Sequence, residues 1–290
     1  MEDIRYEAPK TVKAAVALLA NEPGLAKVLA GGTDLLVQMR AETVNPQLLV
    51  DIKKIRETHA LKRLPDGGWR IGASVTGAEM EEHKRLKKDW PGLVEATDLI
   101  GSTQIQGRCT PVGNLCNASP AADSVPAQIA AGAIAVIVGP NGTREIPAEN
   151  VAVAPGRTSL AKGELVVALL LPPRPKHSSD AYLRFIPRSE MDIAVVGCGV
   201  SLTLDVDGTC TAARVALGAV GPRAILVGDA AKALIGTKLE PAALEAAAAA
   251  SSAAAMPIDD KRGTKEFRIK IAGVLTRRTA EIAYERARKN

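Results

Sequence analysis

The chain has 290 residues, of which 47% are hydrophobic, only 2% are aromatic and 24% are charged, and its formal net charge is +5. This length predicts two or three subdomains, and the scarcity of aromatic rings argues against single-stranded nucleic-acid binding, which stacks bases on such rings. Part of the positive charge lies in the segment 277–289, which we interpret as a solvated helix face rather than a nucleic-acid surface.

The four cysteines and three histidines show no spacing typical of a metal site. Cys109, Cys116, Cys198 and Cys210 form no C-x-x-C pair, and we expect free, mostly buried thiols in a reducing cytosol. No signal-peptide pattern precedes the first predicted strand, and no apolar run is long enough to span a membrane. The expectation is a soluble, cytoplasmic protein.

Residues 1–57 have the pattern of a compact βαβαβ-like unit. Thr11 precedes a segment whose apolar residues recur at a helical period, so it is placed to cap a helix. The predicted elements are strands at 4–6, 27–30 and 48–52, and helices after Thr11 and over 34–39. This alternation predicts α/β layering.

The first candidate ligand site is the segment 28–34, where an apolar strand ends in Gly31 and Gly32. Glycine lacks a Cβ, so paired glycines allow backbone N–H groups to approach a bulky anion closely. Thr33 or Asp34 can cap the helix that follows, whose N-terminus adds a partial positive charge. The pattern fits a phosphate or pyrophosphate site, although Gly-Gly after a strand is more often only a tight turn.

Residues 58–175 have the pattern of a second α/β unit. The segments 65–68 and 140–143 have the composition of hairpin turns. The other predicted elements are strands at 60–64, 69–73, 133–138 and 164–171, and helices that begin at 76 and span 92–99 and 120–131.

A second loop, 109–123, is rich in groups that bind phosphate or ribose. Its glycine and its hydrogen-bonding side chains are Thr110, Gly113, Asn114, Ser119 and Asp123. Two such loops fit a dinucleotide whose pyrophosphate lies between two subdomains. The alternative is a polar loop with a helix cap just before Pro120.

The Pro-rich segment 172–179 is the best linker in the chain. The elements predicted beyond it are strands at 194–206 and 209–220, joined at Asp207-Gly208, and helices at 229–234, 241–255 and 264–288. The Ala-rich run 246–255 has high helix propensity and is typical of a helix that packs against a sheet.

No catalytic constellation emerges from the residues. There is no Ser/His/Asp arrangement, no telling pair of carboxylates and no G-x-G-x-x-G after a strand, so the common dinucleotide fingerprint is absent. A bound redox cofactor would carry the chemistry, and the protein would position and tune it.

Several motifs follow one another in a fixed order. They are Leu-Ala-Gly-Gly-Thr-Asp-Leu at 29–35, Gly-Asn-Leu-Cys-Asn-Ala-Ser-Pro-Ala-Ala-Asp at 113–123, Gly-Glu-Leu at 163–165, Arg188 with Asp-Ile-Ala at 192–194, and Arg262-Gly263 before the last helix. Over essentially the whole chain this order resembles the FAD-binding medium subunit of the molybdenum hydroxylases, the xanthine dehydrogenase and carbon monoxide dehydrogenase family.

This resemblance implies an α+β fold in which two N-terminal α/β subdomains clasp FAD, as in the vanillyl-alcohol-oxidase type of FAD-binding fold. A C-terminal sheet-and-helix domain follows them. The implied boundaries are 1–57 and 58–175 for the two FAD-binding subdomains and 180–290 for the C-terminal domain.

The resemblance also implies which residues bind FAD. The segment 28–34 would lie at the pyrophosphate, Val166 would reach the flavin by its backbone, and Ile193 would lie beside the isoalloxazine ring. From the residues alone, Ile100, Val166 and Ile193 fit core packing better. The implied set is Lys27, Val28, Leu29, Ala30, Gly31, Gly32, Thr33, Asp34, Ile100, Thr110, Gly113, Asn114, Asp123, Val166, Arg184 (where relatives often have lysine) and Ile193.

The second loop departs from the family pattern Thr-Ile-Gly-Gly-Asn, because Pro111 and Val112 replace its Ile and first Gly. Proline has no N–H to donate, and valine resists the positive φ that glycine allows. We expect either weaker FAD binding or another path for this loop. The chain also lacks the Cys-rich insert that carries an iron–sulfur cluster in the benzoyl-CoA reductase branch, so we expect no cluster on it.

The function that the resemblance implies is an electron relay. Electrons would leave a molybdenum-cofactor large subunit, pass through [2Fe–2S] clusters on a small subunit to FAD on this chain, and reach NAD, a quinone or oxygen. Two alternatives stay open. One is a stand-alone flavin oxidase, for which no base or covalent flavin tether is evident. The other is a scaffold subunit without FAD, which Pro111 and Val112 would favour.

Overall fold

The architecture is an α+β arrangement of three main sheets and the helices that cover them. A computed structural model describes residues 4–189 and 191–290 of the chain. The strands are β1 (Arg5–Glu7), β2 (Ala26–Leu29), β3 (Leu48–Asp51), β4 (Leu61–Arg63), β5 (Trp69–Gly72), β6 (Ile134–Gly139), β7 (Gly142–Pro147), β8 (Ala152–Ala154), β9 (Arg157–Thr158), β10 (Leu165–Leu171), β11 (Ser178–Phe185), β12 (Val196–Leu204), β13 (Cys210–Gly218) and β14 (Ile225–Leu226).

Helices alternate with these strands in the first part of the chain and follow them in the last part. The α-helices are α1 (Val12–Asn21), α2 (Leu35–Arg40), α3 (Gly77–Glu82), α4 (Lys84–Asp89), α5 (Pro91–Asp98), α6 (Thr103–Gln106), α7 (Pro111–Cys116), α8 (Ser124–Ala130), α9 (Gly228–Leu234), α10 (Pro241–Ala254) and α11 (Lys265–Ala287). Short 3-10 helices span Ile52–Lys54, Arg56–His59 and Ala148–Asn150. Within the described residues, no helix is both long and apolar enough to cross a membrane.

The first sheet is parallel and has the strand order β1-β3-β2. Thr11 caps α1 as predicted, because its Oγ1 accepts a hydrogen bond from the N–H of Ala14 at 3.2 Å. The sheet and its crossing helices confirm the βαβαβ pattern, since parallel neighbours require a crossover connection.

The second sheet is antiparallel, with the order β4-β5-β10-β6-β7. Both predicted hairpins are present: β4 pairs with β5, and β6 pairs with β7 around the turn at 140–141. Its apolar residues join those of the first sheet in one core, which includes Leu48, Ile71 and Leu169. The two sheets are therefore held together by shared apolar burial.

The third sheet, β11-β12-β13-β14, is antiparallel and lies between two helix layers. Helices α5 and α8 pack on it from the side of the second sheet, and α9 and α11 pack on it with α10 behind them. The Ala-rich helix α10 packs on α9 and α11, so the expectation that it packs directly on a sheet was wrong.

Strand β11 is the largest difference from the sequence prediction. We expected a linker through residue 179, but Ser178 already pairs with Thr203 in the sheet. The segment is polar, yet Asp180 is buried because it forms an ion pair with Arg174 and accepts a hydrogen bond from the N–H of Leu93 at 2.9 Å. A strand whose buried residues are polar in this way does not show the alternation of apolar and polar residues by which strands are predicted.

Candidate functional site

A cleft of about 480 Å³ lies between the loops that leave the first sheet and the elements of the second. Its walls come from 23–28, 30–35, most of 109–117 and 158–166. The volume falls within the range of small-molecule and cofactor pockets. Both loops predicted from the sequence therefore line the same cavity.

The first loop presents backbone donors to this cleft. Within the described residues, no acceptor receives the N–H groups of Gly31, Gly32, Thr33 or Asp34. Successive free N–H groups form a concave surface that suits an anion. From behind, Lys53 Nζ donates to the carbonyl of Ala30 at 3.0 Å and holds the loop in place.

The two glycines of this loop are required for different reasons. Gly32 has φ +81°, a backbone conformation that residues with a Cβ rarely adopt. Gly31 instead lies against the second loop, and a Cβ on it would fall far inside van der Waals contact with the carbonyl oxygen of Arg108. The Gly-Gly pair therefore also allows the two loops to approach each other.

The predicted side-chain cap of α2 was wrong. Asp34 occupies the cap position but has φ −99° and ψ −48° and makes no capping hydrogen bond with its side chain, and within the described residues Thr33 makes none either. The helix has no buried residue. Desolvation raises the pKa of the Asp34 carboxyl above its usual value.

The second loop contains the helix α7 rather than an open phosphate loop. Thr110 caps it, because its Oγ1 accepts the N–H of Gly113 at 2.9 Å. Pro111 stands at the first helical position, where a missing N–H costs nothing. Val112 is buried in the helix and its φ is not positive. Neither residue is therefore held in a conformation that it disfavours, whereas the expected effect on FAD binding stays a prediction.

A buried polar network holds α7 to α8. Asn114 Oδ1 accepts from the N–H of Ser124 at 3.1 Å and from its hydroxyl at 2.7 Å. Gln128 Nε2 donates to Ser124 Oγ at 2.9 Å and to the carbonyl of Pro111 at 3.0 Å. Helix α8 begins at Ser124 rather than at 120 as predicted, and residues 120–123 form turns instead.

A second buried group joins the cleft region to β11. Arg184 Nη1 donates to Asp123 Oδ2 at 2.8 Å and to the carbonyl of Leu99 at 2.9 Å. The hydroxyl of Tyr182 donates to Asp123 Oδ1 at 3.3 Å. Burial raises the pKa of Asp123 to about 6, although the guanidinium of Arg184 favours the ionised form.

The structure brings most of the predicted site residues together. Those that line the cleft are Lys27, Val28, Ala30, Gly31, Gly32, Thr33, Asp34, Ile100, Thr110, Gly113, Asn114 and Val166. Those outside its wall are Leu29, Asp123, Arg184 and Ile193. Leu29 is buried behind the first loop, and Ile193 is 53% exposed.

Sequence reasoning missed several residues of the cleft wall. Gln38 and Asn117 both line it, and Gln38 Nε2 donates to Asn117 Oδ1 at 2.8 Å, which ties α2 to the end of α7. Cys109 and Lys162 also line the wall. No periodic pattern marks these residues, because they come from different local structures: Gln38 from within α2, Cys109 from the residue before the cap of α7, Asn117 from the end of α7, and Lys162 from a turn.

The arrangement can bind and orient a ligand. In the part of the chain that the structure describes, no group of three His, Cys, Asp or Glu side chains could hold a metal. The four cysteines are free, as predicted, and burial raises the pKa of Cys109 to about 11 and that of Cys116 to about 12. Free N–H donors beside apolar walls suit a ligand that has both an anionic group and an apolar part.

Comparison with known proteins agrees with this chemistry. Residues 2–174 match the family described as FAD binding domain in molybdopterin dehydrogenase. Residues 181–283 match the CO dehydrogenase flavoprotein C-terminal domain.

Individual relatives cover nearly the whole chain. The xanthine dehydrogenase FAD-binding subunit of Escherichia coli O157:H7 is 32% identical over 94% of this chain and 93% of its own length. The carbon monoxide dehydrogenase medium chain of Afipia carboxidovorans is 32% identical over 98% of this chain and 97% of its own.

Solved structures give the same result. A chain of the Cu,Mo-CO dehydrogenase, in a cyanide-inactivated form, superposes with a TM-score of 0.93 at 32% identity and covers 98% of both chains. Quinoline 2-oxidoreductase from Pseudomonas putida 86 gives 0.89 at 26% identity, with 99% of this chain and 98% of its own covered. The chain therefore belongs to the FAD-binding subunits of the molybdenum hydroxylases, a family of oxidoreductases, and its cofactor is FAD.

Proposed function

We propose that the cleft between the first loop and α7 holds FAD, and that this subunit carries electrons from a [2Fe–2S] partner subunit to an external acceptor. The observation that carries the proposal is the meeting of both motifs on one wall. Residues 31–34, whose N–H groups have no acceptor among the described residues, line the same cavity as Asn114 and Val166. One site thus combines N–H donors that can bind a pyrophosphate with the apolar strand β10, which can contact a ring.

In this proposal the chain's residues bind and orient, and FAD supplies the capacity to take up and release electrons. The N–H groups of Gly31 to Asp34 hold the pyrophosphate, as helix and loop N–H groups do for other anions. Ile100 and Val166 bound the apolar part of the cavity. Asp123 and Arg184 form an ion pair that supports the cleft wall without lining the cleft. Ile193 governs access to the ring.

We further propose the partners that the family implies. A large subunit with the molybdenum cofactor and a small subunit with [2Fe–2S] clusters would complete the complex, and NAD, a quinone or oxygen would accept the electrons. Four free thiols suit a reducing cytoplasm. The division into units 1–57, 58–175 and 180–290 is also proposed, and the separate strand pairing of the three sheets supports it.

Absorbance of the purified chain, followed by acid release and identification of the chromophore, tests the cofactor site. About one FAD per chain, lost in a Gly31→Ala variant, is the expected result. A colourless chain that ignores added FAD would contradict it. The relay is tested by reconstitution of the FAD-loaded chain with the small subunit. Reduced [2Fe–2S] clusters of that subunit should then bleach the flavin absorbance.

A further inference from the structure

The polar network behind α7 has a fixed hydrogen-bond direction. Gln128 Nε2 donates to the carbonyl of Pro111, which can only accept, so the amide orientation of Gln128 is determined. The same NH₂ group donates to Ser124 Oγ. The single hydrogen of that hydroxyl is then available for Asn114 Oδ1, 2.7 Å away.

A backbone group fixes the other end of the network. The N–H of Ser124 can only donate, and it points at the same Asn114 oxygen at 3.1 Å. Asn114 therefore cannot exchange its oxygen and nitrogen without placing NH₂ against the Ser124 N–H, which can only donate. The orientation of this amide follows from two main-chain groups, Pro111 C=O and Ser124 N–H.

The nitrogen of Asn114 is left for the cleft. Asn114 lines the cleft and is only 9% exposed, and among the described residues none accepts a hydrogen bond from its Nδ2. Gln128 is fully buried, and its own Oε1 has no partner in the described part of the chain. An unsatisfied acceptor on a buried amide costs stability. We take this cost as a sign that the two hydrogen bonds donated by the Gln128 NH₂ group are functionally important.

We propose that Ser124 and Gln128 are positioning residues that hold the Asn114 amide with its NH₂ group directed at an oxygen acceptor of FAD. This inference rests on the proposed function of the cleft. Neither residue touches the cleft, so both act through Asn114. The anchor of this network at residue 111 is a main-chain carbonyl, which proline supplies as any other residue does.

A double-mutant cycle on FAD affinity tests the inference. Ser124→Ala in the otherwise unchanged chain should weaken FAD binding about tenfold, because the shorter bond from the hydroxyl is lost and only the main-chain N–H of residue 124 still holds Asn114 Oδ1. In an Asn114→Ala background the same substitution should change affinity by less than about twofold, since there is nothing left to position. An equal loss in both backgrounds, or none in either, would overturn the inference.

Asn114→Asp gives a test that keeps the fold. Both Ser124 donors still find an oxygen, whereas the cleft now meets a carboxylate instead of NH₂. We expect a chain that still folds without FAD, as circular dichroism would show, and at least a tenfold loss of FAD affinity; unchanged affinity would overturn the inference.

Ser178→Ala is the matched control, because Ser178 is a buried serine whose hydroxyl donates to the carbonyl of Pro175 at 2.6 Å, away from the cleft. It should leave FAD affinity unchanged. If the unmodified chain fails to bind FAD, the proposed function falls and the inference falls with it. If that chain binds FAD but the cycle shows no coupling, only the inference falls.

Discussion

The two loops that meet at the cleft are built in opposite ways. The first offers its own backbone, because the N–H groups of Gly31 to Asp34 have no acceptor in the described part of the chain. In the second loop the N–H of Gly113 is not free, because it donates to Oγ1 of the capping residue Thr110. What it presents instead is a side chain, Asn114, held from behind by Ser124.

From this difference we expect the second loop to tolerate substitution better than the first. A loop that binds through its backbone needs glycine where the chain turns or approaches another segment closely. A helix that binds through a held side chain needs only its cap and its network. Pro111 and Val112 fit α7 without disturbing either feature, although they depart from the family pattern.

The largest effect is expected when the backbone of the first loop is disturbed. Gly31→Ala places a Cβ against the carbonyl of Arg108, and neither backbone can yield easily. We expect a loss of about 3 kcal/mol or more in the free energy of unfolding and no measurable FAD binding. Denaturant unfolding and a flavin fluorescence titration would measure both.

Gly107→Ala is the control for this change. Gly107 ends α6 close to the same segment with φ −69°, and no atom lies within 4 Å of an added Cβ. It should bind FAD as the unmodified chain does. Equal binding by the Gly31→Ala variant would show that the close approach of the two loops is not needed.

The next effect concerns the buried ion pair behind the cleft. Arg184→Met leaves the Asp123 carboxylate without its cation, and we expect a loss of about 3 kcal/mol at pH 8. The loss should shrink below pH 6, because the carboxyl group then takes up a proton. Arg184→Lys keeps the charge and should retain most of the stability; thermal unfolding of both variants across pH would decide.

Much of the fold could be predicted, because its sheets follow simple rules. The strand at 48–52 is a plain apolar run, and the turns at 65–68 and 140–143 carry Gly and Pro at the positions that hairpins need. Thr11 before α1 is an ordinary cap. Strand β11 escaped prediction because its polar residue Asp180 is buried by an ion pair with Arg174 and by the N–H of Leu93, which is 87 residues away.

The site was predictable only where it uses local chemistry. Gly31 and Gly32 predict a turn and a close approach of the backbone to another group. The sequence does not predict that this group is the carbonyl of Arg108. The bond between Asp123 and Arg184 joins residues 61 positions apart, and no spacing rule connects them. Such contacts are set by the packing of α8 on the third sheet, which is a tertiary property.

A smaller effect is a pH dependence that Asp123 should impart. Its pKa is raised from 3.8 to about 6 by burial, so between these values the folded chain binds more protons than the unfolded one. Stability from this group is therefore complete below pH 4 and is lost as pH rises through 6. Relative to Asp123→Asn, the unmodified chain should lose about 2 kcal/mol over that interval.

That difference would be measured by urea unfolding of both proteins at several pH values. Other titrating groups contribute equally to the two curves, so their difference isolates Asp123. A gap that stays constant from pH 4 to 7, or one that changes in the opposite direction, would mean that Arg184 outweighs burial and keeps this carboxyl ionised.

The smallest effect is expected at the cap of the second loop. Thr110→Val keeps the shape of the side chain but removes the oxygen that accepts Gly113 N–H, so we expect a loss of about 1 kcal/mol in the free energy of unfolding. Thr110→Ser keeps that oxygen and should lose much less. Because α7 contributes Asn114 rather than backbone donors, FAD affinity should fall only a few-fold in the valine variant. A loss as complete as that of Gly31→Ala would show that the second loop also binds through its backbone, and that the two loops are built alike after all.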